Sequence, residues 1–193
     1  MNLLDYAKIV EPCQRNWDEE FVIPDEHIQY ILDVCTTMPT KNNRNVYSLI
    51  VIKSKPLIEM LYSKTAYDPR NWKGTFMRNS QVNANALLLW CAGTDKYEDH
   101  SDRDIAIGIS SGSAALAAAE LGYKTGFCKC FASEIVTKIL RKNKIKSLNK
   151  VHLMLGIGKP NNNYDRKVPV IEGVPQRPRP SHGKKNILIR QVD

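Results

Sequence analysis

Residues 109–122 read ISSGSAALAAAELG, a stretch made almost wholly of serine, glycine and alanine. Alanine is the strongest helix former, so the segment predicts a helix. Its side chains are too small to fill space, so whatever packs on it must come close. Asp102 or its neighbours open this helix upstream, and Gly122 ends it in a left-handed conformation. Two placements stay open: a plain buried helix, or a tightly packed central or inter-subunit one. Either way, neighbouring elements must supply the bulk that this helix lacks.

Those neighbours can be read from periodicity. Pro24 and Asp25 introduce a helix whose apolar residues Ile28, Ile31, Leu32, Cys35 and Met38 recur at helical spacing, and Pro39 stops it. Residues 47–53 read as a strand, 57–62 as part of a short helix, and 86–92 (ALLLWCA) as a buried strand or a helix end. Residues 123–130 return as a strand, Ser133 caps a helix over SEIVTKILRKN, and residues 151–157 form another strand. Helices and strands alternate without a Rossmann rhythm. Residues 169–180 are rich in proline and look like an extended arm. After it, residues 186–192 (NILIRQV) carry the apolar residues of a last strand, of the kind that pairs with a neighbouring chain. The expectation is an α+β chain of one domain, residues 1–193, with 169–193 as its C-terminal arm.

At 193 residues and 42% hydrophobic content the chain can bury a substantial core. No apolar run approaches the length of a membrane span, and the first ten residues lack a signal-like pattern, so a soluble, unexported protein is expected. The 5 cysteines are odd in number and scattered, which argues for reduced thiols in a cytoplasm rather than a disulfide framework. The formal charge of +8 is concentrated late in the chain. Between Glu134 and Asp165 there is no acid, while Lys138, Arg141, Lys142, Lys144, Lys146, Lys150 and Lys159 are all positive. A second group is Arg177, Arg179, Lys184, Lys185 and Arg190. Such runs are solvated faces or sites for phosphate-bearing ligands. No aromatic residues interleave the first run, so no nucleic-acid partner is expected.

Several motifs fail on spacing. Gly156-Ile157-Gly158-Lys159 lacks the spacing of a phosphate loop and reads as the turn after a strand. Cys128 and Cys130 form CxC, not CxxC, and the histidines do not cluster with them, so no metal site is expected. Nucleophile elbows, HExxH and paired glycosidase-type carboxylates are absent. What remains is PTKNNRN at residues 39–45, with Asn42, Asn43 and Asn45 crowded before a strand. A turn needs one asparagine to tolerate positive φ. Three such amides, each a donor and an acceptor, suit the edge of a planar, amide-like ligand, or simply a polar loop.

In order, the segments are Arg15 with Trp17, Ile23-Pro24 opening a helix, PTKNNRN, AAELGYKTGFCKCF and LGIGKP. Together they resemble the FMN-dependent nitroreductase family across nearly the whole chain. The resemblance implies a nitroreductase-like α+β fold, with a central, mainly antiparallel sheet flanked by helices and a C-terminal arm exchanged in a homodimer. It implies FMN in a groove between subunits and hydride transfer from NAD(P)H to a nitroaromatic or quinone. Flavin N5 would carry the hydride, so no side chain need be catalytic. Asn43 and Asn45 would supply amides to the pyrimidine edge, and Thr40 and Lys41 would approach across the subunit boundary. Arg15 would face the phosphate or the N1/C2 edge, and the backbone N–H groups of Lys129 and Cys130 would face N5 and O4. Asn79 would reach the ribityl chain, and Arg177 or Arg179, with Lys184 and Lys185 nearby, the phosphate.

This sequence departs from the family pattern in three places. Glu11 or Pro12 and then Cys13 stand where an Arg and a Ser are usual, Asn45 stands for Gln, and Cys130 for Gly. The acceptor would lie against a variable loop, residues 67–77, where Trp72 and Phe76 serve the acceptor or ordinary packing. Two other functions follow from the same residues: a redox-inactive binding protein with a basic surface, or a specialised reaction such as reductive dehalogenation or flavin fragmentation.

Overall fold

In the computed structural model, residues 1–10, 13–65, 79–93, 100–145 and 149–161 are described. The elements run α1 (Leu3–Val10), α2 (Asp25–Thr36), β1 (Tyr47–Ile52), α3 (Lys55–Tyr62), β2 (Ala86–Ala92), α4 (His100–Glu120), β3 (Lys124–Cys128), α5 (Ser133–Lys142) and β4 (Val151–Gly158). The strands form one sheet in the order β1-β2-β4-β3, every pair antiparallel. This is the α+β arrangement expected from sequence. The proline-rich arm, residues 186–192, Trp72 and Phe76 all lie outside the described residues.

β2 explains why ALLLWCA does not alternate. It sits inside the sheet, and both of its faces are covered. Leu87, Leu89 and Cys91 face Ile58 and Leu61 of α3 and Val136 and Leu140 of α5. Leu88 and Trp90 face Ile28, Ile31 and Cys35 of α2 and the alanines of α4. A strand buried on both faces must be apolar throughout, and each leucine so buried contributes about 1.5–3 kcal/mol. The indole N–H of Trp90 needs a partner there, and Ser110 Oγ accepts it at 2.9 Å.

The small-residue helix is used on two sides. Ala114, Ala115, Ala117 and Ala118 are buried within the chain, so the buried placement holds for that face. On the outer side Ile105 is 61% exposed and Ile109 41%. A Cβ placed on Gly108 or Gly112 would meet nothing within 4 Å. Gly122, at φ 78°, ends the helix as expected, its N–H returning to Ala119 O at 3.0 Å.

Three local readings need correction. Gly156 and Gly158 belong to β4 rather than to a turn after it, and neighbours lie directly over both: a side chain at Gly156 would strike Gln81 O and Ala84, and one at Gly158 the side chains of Asn85 and Trp17. Ser133 is the first helical residue of α5, not its cap; Ala132 occupies the cap position, and Ser133 Oγ donates instead to Val151 O at 2.8 Å. Residues 1–10 carry a helix that the sequence reading passed over. Asn2 and Asp5 bond reciprocally, Asn2 N to Asp5 Oδ2 at 3.0 Å and Asp5 N to Asn2 Oδ1 at 3.1 Å, a capping box in which Asp stands for Glu.

Candidate functional site at one edge of the sheet

Because all four strands are antiparallel in the order given, one edge collects the start of β1, the end of β2, the start of β4 and the end of β3. Tyr47 pairs with Ala92, Cys91 with Val151, and Cys128 with Met154. The segments before β1, after β2, before β4 and after β3 therefore emerge together. The N-terminus of α4 meets the same edge, since Asp102 in its first turn binds Lys41 Nζ at 2.9 Å. The field of Arg103 and Asp104 is felt at His152 on β4.

The loop before β1 carries one group of candidates. Lys41–Asn43 form a single turn of 3-10 helix, and Asn42 and Asn43 take positive φ, 54° and 53°. Two of the three asparagines thus serve the backbone, as left-handed residues often do. Their side chains are a separate matter. The carboxamides of Asn43 and Asn45 are exposed and make no hydrogen bond among the described residues. Thr40 Oγ1, by contrast, donates to Arg44 O at 2.8 Å and closes the loop. Lys41 is held to α4 through Asp102.

The end of β3 carries the second group. Residues 13–17 run beside β3: Gln14 N donates to Thr125 O at 2.8 Å. A Cβ on Gly126 would sit 2.6 Å from Gln14 O, so only glycine lets that segment lie so close. Cys13 and Arg15 are placed this way, both half-buried, and the positive charge of Arg15 reaches the Cys128 thiol. Lys129 is exposed and Cys130 half-buried just past the strand. Asn79 lies beneath them, 3% exposed, and its amide is engaged inside the chain. Its Nδ2 donates to Cys128 Sγ at 3.1 Å, and its Oδ1 accepts from Gln81 N at 3.2 Å.

The two groups stand on opposite sides of the sheet, β1 and β3, three strand spacings or about 14 Å apart. Arg177 and Arg179 lie outside the described residues.

Between the two groups the edge is basic. Arg103 is 8% exposed with Nε 3.4 Å from Asp104 Oδ1, and Lys129 and Lys150 are exposed. His152 is half-buried, and its Nε2 is enclosed without a hydrogen-bond partner. Burial first, then Arg103, Lys150 and Lys129 against an opposing Asp104, lowers its pKa from 6.5. Burial pushes the Cys128 thiol up to about 12, against the opposing pull of its hydrogen bonds and Arg15. Such an edge suits an anionic, hydrogen-bonding ligand. Sequence reasoning missed Asp102, Arg103 and His152, whose neighbours are distant in the chain. No group of side chains among the described residues is arranged to hold a metal ion.

No protein-family model and no curated relative matches the sequence. Solved structures do match. An oxidised iodotyrosine deiodinase bound to FMN and 3-iodo-L-tyrosine superposes over 100% of both chains with a TM-score of 0.71 at 18% identity. A nitroreductase from Desulfovibrio desulfuricans in complex with FMN gives 0.66 at 17% identity, covering 93% of this chain and 99% of that one. A nitroreductase family protein from Clostridium difficile 630 gives 0.63 at 24% identity, covering 92% and 89%. Likenesses of this depth establish a nitroreductase-like fold.

Proposed function

We propose that this chain, a protein of nitroreductase-like fold, is an FMN-dependent oxidoreductase that works as a cytoplasmic homodimer. It would pass hydride from NAD(P)H to an electrophilic small molecule such as a nitroaromatic or quinone. The observation that carries the reading is the sheet edge, where unengaged amides and a basic surround face outward from two separated groups. When bound, FMN supplies the hydride chemistry. The chain supplies binding, orientation and charge.

Asn43 and Asn45 have carboxamides available to a planar polar edge, and Thr40 keeps their loop closed while Lys41 is steadied by Asp102. Arg15 offers permanent charge to a phosphate or a ring carbonyl. Lys129 and Cys130 follow the strand end, where their backbone N–H groups would meet the ring, and Cys13 lies in the segment beside them. Asn79 acts from below by fixing Cys128. Arg177 and Arg179 would contact the phosphate. In the homodimer each chain would give its loop to one ligand and its strand end to another.

Dimerisation has independent support. The outer face of α4, with Ile105, Gly108, Ile109 and Gly112, is apolar, unfilled and exposed. An apolar groove of about 310 Å³ continues from it between α1, α2 and α4, lined by Leu3, Tyr6, Val34 and Leu116. Two such faces packed together would remove both from water. The full-length likeness to a deiodinase favours one second reading, in which the acceptor is a halogenated phenol and the reaction a reductive dehalogenation.

The test is steady-state kinetics of the FMN-reconstituted protein with NADH or NADPH against a nitroaromatic, a quinone and a halophenol. Parallel double-reciprocal lines with any of them support the reading and select the acceptor. Absence of NAD(P)H oxidation with all three, by a protein that holds FMN, refutes it.

A further inference from the structure

The basic run that follows β3 has no part in the flavin reading, and the fold gathers it onto one surface. α3 and α5 lie on the same face of the sheet, with Ile58, Leu61, Val136 and Leu140 turned into one core cluster. Asn143, just past α5, brings its Nδ2 to 3.9 Å from Met60 Sδ of α3. At 3.6 residues per turn, Arg141, Lys138, Lys142 and Ile135 follow one another across the side of α5 opposite Val136 and Leu140, and all four are exposed. Lys144 follows α5 and Lys64 follows α3, both exposed.

This surface is short of anions. Lys64, Lys138, Lys142 and Lys144 make no ion pair among the described residues. Over residues 59–65 and 133–145, Glu59 and Glu134 are the acids set against these lysines and Arg141. Cations suit the negative end of a helix, yet Lys138 stands mid-helix, three and four residues from Arg141 and Lys142, where like charges repel. Two large apolar side chains stand among the cations, Ile135 at 47% exposure and Met60 at 44%. No aromatic side chain is exposed on these two segments; Tyr62 is half-buried.

We propose that this face docks the folded protein, reversibly and without insertion of a helix, on the anionic surface of a phospholipid bilayer. The apolar sides of α3 and α5 are committed to the core, so neither helix inserts. The cations meet the lipid anions, which relieves their mutual repulsion, while Ile135 and Met60 enter the headgroup layer. Other polyanions fit this face less well. Protein partners are gripped chiefly through Trp, Tyr and Arg, and single-stranded nucleic acid through exposed aromatics, whereas here lysines surround aliphatic side chains. Lysine is a compact point charge and needs no fixed geometry in its partner. The face stays open in the proposed dimer, because α4 packs on the other side of the sheet, in the other core cluster.

The experiment sediments the full chain with vesicles of phosphatidylcholine, alone or with about one-third phosphatidylserine, at rising salt. Binding is expected on the phosphatidylserine vesicles alone, and it should fall away as the Debye length shortens. Each lysine near such a surface strengthens partitioning about fivefold, so Lys142→Gln should lose about fivefold and the double change with Lys138→Gln roughly 25-fold. Ile135→Ser should lose about threefold. Lys8→Gln, which removes the same charge from an exposed position on α1, should bind like wild type. Thermal melts of all these variants should match wild type, since every substituted side chain is exposed. Equal binding to both kinds of vesicle, no binding at low salt, or equal losses in Lys8→Gln and Lys142→Gln would overturn the proposal. A DNA duplex that strips the chain from the vesicles at equal phosphate concentration would assign the face to nucleic acid and overturn it too.

Discussion

Replacing Asn45 by Ala and Asn43 by Gly separates ligand binding from folding. Neither carboxamide has a partner among the described residues, so their removal takes no hydrogen bond from that part of the fold. Asn43 calls for glycine because its φ is 53°, where an alanine would add about 1–2 kcal/mol of strain. Both variants should keep their stability within about 0.5 kcal/mol, a shift of about 1–2 °C in melting temperature. Each should lose a hydrogen bond to FMN, worth about 0.5–1.5 kcal/mol, or up to roughly tenfold in affinity. Asn79→Ala should show the opposite pattern. It strips a buried acceptor from Gln81 N and a donor from Cys128 Sγ, at about 2–4 kcal/mol of stability. Fluorescence quenching of FMN gives affinities, and thermal melts of the ligand-free chains give stabilities. Unchanged FMN affinity in both loop variants would refute the reasoning and leave the asparagines as turn residues alone.

Arg15→Ala should weaken FMN more than either loop change, because a charge-assisted contact is about twice as strong as a neutral one. The loss should be smaller for riboflavin if the guanidinium meets the phosphate, and equal losses would remove it from there. Gly112→Leu should raise the stability of the isolated chain, by about 1 kcal/mol of helix propensity, while weakening self-association in sedimentation at least tenfold. An unchanged dimer would free α4 of that role. His152 has a lowered pKa, so below 6.5 the unfolded chain binds more protons than the folded one and stability falls with pH. Relative to wild type, His152→Gln should lose this dependence, at most about 1.4 kcal/mol per pH unit, in denaturant titrations from pH 7.5 downward.

Local pattern carried most of the fold. The periodicity of α2, the β-branched run Ile50-Val51-Ile52 of β1 and the glycine that ends α4 all depend on near neighbours in sequence, and all were legible. ALLLWCA was not fully legible, because an apolar run buried on two faces looks the same as a strand or a helix until its neighbours are known. Ser133 misled for a related reason: a serine before a helix usually caps it, but here Val151 O competes for the hydroxyl from across the fold. At the site, the asparagine loop and the strand-end residues could be named from sequence order. Their separation across three strand spacings could not, since it follows from sheet order. Nor could Asp102 and His152, whose partners lie far along the chain.

The central claim is that two copies of this chain enclose FMN at their sheet edges. Adding FMN to the purified protein, then measuring absorbance and sedimentation together, tests it directly. The account predicts flavin bands that sediment with a dimer at one FMN per chain. A protein that remains colourless, or that binds FMN as a monomer with undiminished affinity, would contradict it.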